Sequence, residues 1–432
     1  MEELAVFWFR RDLRLEDNAG LWHALTSGYR VLPVFIYDTG ILSTLEPDDR
    51  RITFIDSILF NLNRAVKERG SSLHVYSGKP LEIFKVLTAK FNIKALYFNR
   101  DYEPYALKRD REVTEYLNGR NIKCFSYKDQ VIFEMSEVLK NDGKPYTVYT
   151  PYSVKWLSLF RPEMIKEYNS ARLTGNFIFT NGESFIRPYS LGFTLPATTL
   201  KKIVLDRESI IKYSARRDFP AMDGTSNLSP HLRFGTISIR EVLRKTTGVS
   251  DVFVKELIWR EFFMQILYNF PFVTERSFRP EFDRIEWVND EESFEAWRKG
   301  MTGFPIIDAG MRELEATGYM HNRVRMIVAN FLTRHLLTDW RWGEAWFAEK
   351  LLDFELSSNN GNWQWAAGSG CDAAQYFRIF NPDTQLQKFD PKLDYVKKWV
   401  PEINTPAYTK RLVDLTEVRN RALEVYKRGI SN

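Results

Sequence analysis

At 432 residues, 44% hydrophobic and 27% charged, the chain is too long for one core and too apolar to be disordered or fibrous. A net charge of +5 permits an anionic partner but does not require one. Two cysteines, Cys124 and Cys371, exclude a disulfide framework and a zinc site of the usual kind.

The first apolar run, Leu4 to Phe9, is short and follows Glu2 and Glu3, unlike the basic start and longer core of a signal peptide. No run approaches membrane-spanning length, so a soluble, cytoplasmic monomer with no membrane partner is expected. Leu4 to Phe9, Val31 to Ile36, Leu73 to Tyr76, Ala95 to Phe98 and Lys123 to Phe125 read as buried strands. Amphipathic stretches such as Thr53 to Arg69 separate them. This rhythm predicts an α/β domain over residues 1–130, a Rossmann-like parallel sheet wrapped by helices. Neither a Gly-x-Gly-x-x-Gly nor a Gly-Lys-Ser phosphate loop accompanies it.

Residues 131–205 are punctuated by Lys144-Pro145, Arg161-Pro162, Arg187-Pro188 and Leu195-Pro196, and are expected to form a long linker packed over the surface. From 206 to 432 helical periodicity takes over. It marks Asp251 to Asn269, Ser293 to Lys299, Phe304 to Thr317, His321 to Leu337 and Glu344 to Leu352, so the second domain is expected to be all-α.

Four segments of that helical part carry unusual chemistry. Gly224-Thr225-Ser226-Asn227-Leu228-Ser229-Pro230 offers hydroxyls and an amide ahead of a helix start, which suits a phosphate or a plain capped loop. Glu256, Trp259, Arg260 and Phe263 fall on one helix face, where they suit a planar heteroaromatic ligand, or a Glu256–Arg260 surface pair. In His321 to Met326, Asn322, Met326 and Ala329 share a face while Arg323 and Arg325 are expected to point elsewhere; a solvated helix end is the alternative. The run Leu352 to Trp365 is polar and turn-rich, then places two indoles at i and i+2, so that one faces the core and the other a cavity. Twelve Trp, twenty Tyr and thirty-two Phe bring aromatics to 15%, and Trp287 and Trp340 become more than packing if they line up with Trp363.

These strings resemble the photolyase and cryptochrome family from end to end, most closely its class I cyclobutane pyrimidine dimer DNA photolyases. The resemblance rests on Trp8 to Leu15 with Asp17-Asn18, Arg217-Asp218-Phe219-Pro220, the Gly224 to Pro230 run, Glu256 to Phe262, Thr302 to Ala309, Met320 to Met326, Asn359 to Ala366 and Tyr376 to Pro382. It implies a helical FAD-binding domain and blue-light-driven repair of dimers in UV-damaged double-stranded DNA by electron transfer from reduced FAD. A cryptochrome-type light sensor without repair activity is the alternative. A second, antenna chromophore is left open, since Tyr105 and Ala106 do not match the folate-binding pair of some members.

Carried over by position, Tyr213, Thr225, Ser226, Asn227, Leu228 and Ser229 would surround the FAD phosphates. Arg260, Asn322, Arg325, Asp353, Glu355 and Asn359 would lie near the rest of the cofactor, with Asp353 paired to Arg325. Glu256, Trp259, Asn322, Met326 and Trp365 would meet the dimer, and Trp287, Trp340 and Trp363 would relay electrons. Arg217, Arg260, Arg323, Arg378, Gln385 and Lys388 would join Glu256 and Trp259 in contacting DNA. Family members acting on the (6-4) photoproduct carry histidines where Asn322 and Met326 stand. Glu355 departs from the usual Asp, and Asn362 from a common Gly.

Overall fold

The computed structural model describes residues 2–180, 184–197, 201–373, 375 and 377–431; Tyr376 of the last family string lies outside them. The chain divides into two compact units. The first comprises residues 1–137, 156–202 and 227–247, and the second residues 138–155, 203–226 and 248–432.

In the first unit five strands form a parallel sheet in the order β3-β2-β1-β4-β5: β1 (Glu3–Phe9), β2 (Arg30–Asp38), β3 (His74–Gly78), β4 (Asn92–Asn99) and β5 (Lys123–Tyr127). The order follows from apolarity. β1 is central because Ala5, Val6, Phe7 and Phe9 are fully buried, and only a strand covered on both faces can be apolar at consecutive positions. In register, Ala5 lies opposite Val31 and Ala95, and Phe7 opposite Pro33 and Tyr97. Pro33 is tolerated because β2 begins pairing with β3 only at Val34.

The charged string after β1 is structural. Arg14 donates to Asp129 at 2.6 Å, Arg240 donates to Asp17 and Asp129 at 2.9 and 2.8 Å, and Asn18 caps the Ala19–Leu25 helix. Burial would raise the Asp129 carboxyl, but Arg14 and Arg240 outweigh it and hold the group below its ordinary range. A buried ion network of this kind is costly to break at one member.

The 131–205 stretch was expected on the surface. It instead contains a helix, Tyr149–Leu159, with Tyr152 and Trp156 buried, and it places Phe177 and Ile178 alongside Val31. The prolines that punctuate it stop long elements, but large aromatics still seek the core.

The second unit is helical. Glu291–Arg298, Pro305–Thr317 with its capping Phe304, Asn322–Asn330, Trp340–Lys350 and Leu356–Ala367 contribute a core that includes Trp297, Phe304, Leu314, Val328, Trp340, Phe347 and Trp363, and the Asp251–Asn269 helix packs on Leu356–Ala367. The periodicity over His321 to Leu337 is not one helix, since Phe331–His335 widens into a π-helical turn. Among the described residues no helix is long and apolar enough to cross a membrane, and no cluster of metal ligands occurs.

Candidate functional site

A cleft of the second unit holds about 610 Å³ of space free of protein atoms, the open solvent at its mouth included. One wall is the Asn322–Asn330 helix. His321 caps it, its Nδ1 accepting from the Arg323 amide at 3.1 Å, and Asn322, Arg325, Met326 and Ala329 face the cleft. Arg325 was expected to point elsewhere. Positions i+3 and i+4 flank one another on a helix face, so Arg325 shares the space of Asn322 and Met326.

Arg325 is fixed there by three bonds. Nε donates to the Met320 carbonyl at 2.8 Å and Nη2 to both Asp353 oxygens at 2.8 and 3.1 Å. Arg323 does point away, donating to Asp218 at 2.8 Å with its guanidinium 4.5 Å from the Phe389 ring centre.

The opposite wall is the Leu356–Ala367 helix with the turn before it. Glu355 is buried, its carboxylate accepting from Arg260 at 3.2 Å and from the Ser358 hydroxyl at 3.1 Å. Trp363 lies in the core and also borders the cleft, whereas Trp365 is half-buried and lines it, so the expected division of the two indoles holds with the cleft reaching both. Residues two apart lie about 160° around a helix by the shorter way, and the cleft wraps that whole arc, with the two indoles at its edges. Trp363 is also buried, edge-on to Phe347 at 5.0 Å and to Trp297 at 6.2 Å.

Asn359 donates through Nδ2 to the carbonyl and carboxylate oxygens of Glu344 at 3.0 and 3.1 Å. Burial raises the Glu344 carboxyl above its ordinary range, and the Asn359 bond partly offsets this. Glu344, Phe347, Ser358 and Asn362 escaped the sequence reading. Ser358 and Asn362 are detectable as the i and i+4 neighbours on the Trp365 side of that helix, but Glu344 has no local signal.

Glu256 and Trp259 are not part of the cleft wall. Glu256 accepts from Arg217 at 2.6 Å, so neither the predicted Glu256–Arg260 pair nor a free carboxylate occurs. Trp259 stacks on Tyr149. Arg260, on the same helix, connects this group to the cleft through Glu355.

A smaller hollow is lined by Tyr213, Gly224, Thr225, Ser226 and Phe253. Gly224 permits it. A Cβ there would come within 2.6 Å of Arg216 Cβ and 2.7 Å of its carbonyl oxygen, so only glycine lets this loop lie against the Arg207–Arg216 helix. Asn227, Leu228 and Ser229 fall in the first unit, where Asn227 has a φ of 55° and donates to the Lys202 carbonyl.

Trp340 is buried with the Arg341 guanidinium 4.7 Å from its ring centre. Trp287 is half-buried and edge-on to Tyr426 at 5.8 Å. Trp340 and Trp363 belong to one core, and Trp287 packs against it. Arg378 and Lys388 are exposed and Gln385 half-exposed.

Residues 253–406 match the FAD binding domain of DNA photolyase, and residues 5–169 match DNA photolyase. A deoxyribodipyrimidine photo-lyase of Halobacterium salinarum is 36% identical over 99% of this chain and 99% of its own. The chain belongs to the DNA photolyase family. Photolyase structures share its fold. A bacterial class III photolyase from Agrobacterium tumefaciens superposes with a TM-score of 0.90 at 34% identity, covering 100% of this chain and 98% of that one. An archaeal photolyase from Sulfolobus tokodaii, described with two FAD molecules and a novel light-harvesting cofactor, gives 0.87 at 36% identity over 98% and 100% of the two chains.

FAD is the cofactor of this photolyase-family chain, and the cleft residues fit it. The bonds to Glu344 use the Asn359 amide nitrogen, which leaves Oδ1 as its remaining acceptor at the cleft. Arg325 and Asp353 supply a compensated charge pair on the wall, and Thr225 and Ser226 bring hydroxyls to the smaller hollow.

Proposed function

We propose that this chain repairs cyclobutane pyrimidine dimers in UV-damaged double-stranded DNA, using blue light. Bound and reduced, FAD would supply the electron for opening the cyclobutane ring and would recover it afterwards. The protein groups position and polarise. Asn359 offers its amide oxygen to a ring N–H of the cofactor, because Glu344 fixes which way the amide faces. Arg325 neutralises nearby negative charge while Asp353 keeps its own charge compensated. Tyr213, Thr225 and Ser226, with Asn227, Leu228 and Ser229 on the adjoining chain, are proposed to hold the phosphates. Arg260 and Glu355 are proposed to close the cofactor's side of the cleft.

For the lesion, Asn322, Met326 and Trp365 stand together on the cleft, which is the observation that carries this reading. A dimer must leave the helix stack to reach them, and a damaged pair costs less to extrude. Glu256 and Trp259 are proposed to meet it from beside the cleft. Arg217, Arg323, Arg378, Gln385 and Lys388 are proposed as backbone contacts. Two of these cations are already paired, Arg217 with Glu256 and Arg323 with Asp218, so binding exchanges partners rather than using free charges. Neither Asn322 nor Met326 is a histidine, which favours cyclobutane dimers over the (6-4) photoproduct. The class I strings support the same substrate. Because a class III photolyase is so similar in structure, the proposal concerns the dimer and not the subclass.

Trp363, Trp340 and Trp287 are proposed to carry electrons inward when resting flavin is reduced by light. A second, light-harvesting chromophore is proposed on the likeness to the two-FAD relative. The decisive experiment mixes reduced protein with a dimer-containing duplex, illuminates with blue light and follows recovery of thymine absorbance. Recovery is expected; its absence with bound, reduced FAD would favour the sensor reading.

A further inference from the structure

Outside the cleft, one aromatic contact is closer and flatter than any other among the described residues of the second unit. The Tyr149 and Trp259 rings are 3.6 Å apart at their centres and 5° from parallel. The residues are 110 positions apart in sequence, and Tyr149 opens the Tyr149–Leu159 helix, where nothing in the motif strings points to it. Three features make it a fixed wall. Tyr149 is 8% exposed; its hydroxyl donates to the Lys255 carbonyl at 2.8 Å, one turn before Trp259; and its amide donates to Asp372 at 3.0 Å, in the loop after the helix that bears Trp365. Phe262 closes the corner, edge-on to both rings at 5.8 and 5.6 Å.

Trp259 itself is half-buried, one turn after Glu256 on the same helix. An exposed indole would otherwise sample several rotamers and lose that freedom on meeting a base. Here the face-to-face contact removes the freedom during folding, and preorganised groups bind more tightly for that reason. The hydroxyl and amide bonds tie the two Trp-bearing elements through one residue.

We propose that Tyr149 is a positioning residue for lesion recognition, stacked on Trp259 and pinned by Lys255 and Asp372 so that the indole is preset for an extruded pyrimidine. The inference rests on the dimer-repair reading given above, in which Trp259 meets the lesion. It adds that the quality of that contact is set by a residue that need not touch DNA. A flat ring at 149 is required, so Phe serves in part and an aliphatic side chain does not.

The test uses the full-length holoprotein in the dark, titrated with a dimer-containing duplex and with the same duplex undamaged. Tyr149→Leu is expected to reduce the preference for the dimer about tenfold, the scale of one lost aromatic–base stack. Tyr149→Phe keeps the flat ring and loses only the Lys255 bond, so it is expected to cost about threefold, clearly less than Tyr149→Leu. In a Trp259→Leu background, Tyr149→Leu is expected to cost nothing further, because its action passes through the indole. Asp372→Ala leaves the core untouched and is expected to cost about threefold, which keeps the test open should Tyr149→Leu fold poorly. An unchanged preference in Tyr149→Leu or in Asp372→Ala, or an equal loss with and without Trp259, overturns the proposal alone. Absence of dimer preference in the wild type overturns the dimer reading and the proposal with it.

Discussion

The Asn359 carboxamide is held by Glu344, whose carbonyl and carboxylate oxygens both accept from Nδ2, at 3.0 and 3.1 Å. A carboxylate cannot donate, so the orientation of the amide is decided outside the cleft. Glu344→Gln keeps an acceptor and should preserve the flavin reduction potential. Glu344→Leu removes the carboxylate and leaves only the main-chain carbonyl to hold Nδ2, so the side-chain amide turns its N–H inward more readily, against a ring N–H of reduced flavin. The potential should then fall by on the order of 20 mV, the equivalent of one neutral hydrogen bond in a two-electron couple. Redox titration of the two variants checks this, and equal potentials would remove Glu344 from the account.

The Arg325–Asp353 pair makes a second prediction. The Asp353 side chain is only 4% exposed, and its two oxygens accept from one guanidinium nitrogen. Arg325→Met leaves a carboxylate in a dry wall without its partner. Breaking one side of such a pair costs about 3 kcal/mol. Urea unfolding should show that loss, while the double variant Arg325→Met with Asp353→Leu should recover most of it.

Trp340 is buried and is the middle member of the proposed relay, and a phenyl ring cannot be oxidised as easily as an indole. Trp340→Phe should slow light-driven reduction of the flavin at least tenfold. Dimer repair by chemically reduced protein should be unaffected, because that step needs no electron from the surface. Equal photoreduction rates in variant and wild type would exclude this route.

How far the sequence carried depended on the range of the interactions. Continuous apolar runs such as Leu4 to Phe9 mark a buried parallel strand wherever they occur, and the Asp251–Asn269 helix was legible to its last residue from its periodicity. Cleft-facing Asn322, Met326 and Trp365 were legible through family strings. The face pattern alone sent Arg325 elsewhere because a helix face is wider than an i, i+4 stripe, whereas the family strings paired it with Asp353, where the structure has it. Trp363 serves both the core and the cleft, because the cleft wraps around its helix. Glu344 and Tyr149 were missed for a different reason: each acts on a residue distant in sequence, Asn359 and Trp259, and no local pattern encodes such a pairing.

His335 predicts acid sensitivity. It is 2% exposed in the π-helical turn, and burial, with Arg334 beside it, lowers its pKa from 6.5 to about 4. Below pH 6.5 the unfolded chain takes up a proton that the folded chain refuses, so this group's contribution to stability is lost as pH falls through that window. The loss approaches about 3 kcal/mol near pH 4. His335→Gln removes it. Unfolding at pH 7 and at pH 4.5 should therefore show a smaller acid-induced drop in the variant, even if its stability at pH 7 is lower.

Gly343 gives a prediction whose sign is set by competing effects. It is interior to the Trp340–Lys350 helix, where replacing glycine by alanine ordinarily gains about 0.5 to 1 kcal/mol. Here a Cβ would fall 2.1 Å from Cη2 and 2.5 Å from Cζ3 of Trp363, and 2.7 Å from Leu332 Cδ2. Trp363 cannot yield easily, since Phe347 and Trp297 meet it edge-on. Overpacking of this kind costs about 1 to 3 kcal/mol, so the clash wins. Gly343→Ala should lower the melting temperature and, by displacing the indole at the cleft, also slow photoreduction of the flavin. A variant as stable as wild type would mean that the helix shifts to make room, and the photoreduction rate would then report whether Trp363 moved with it.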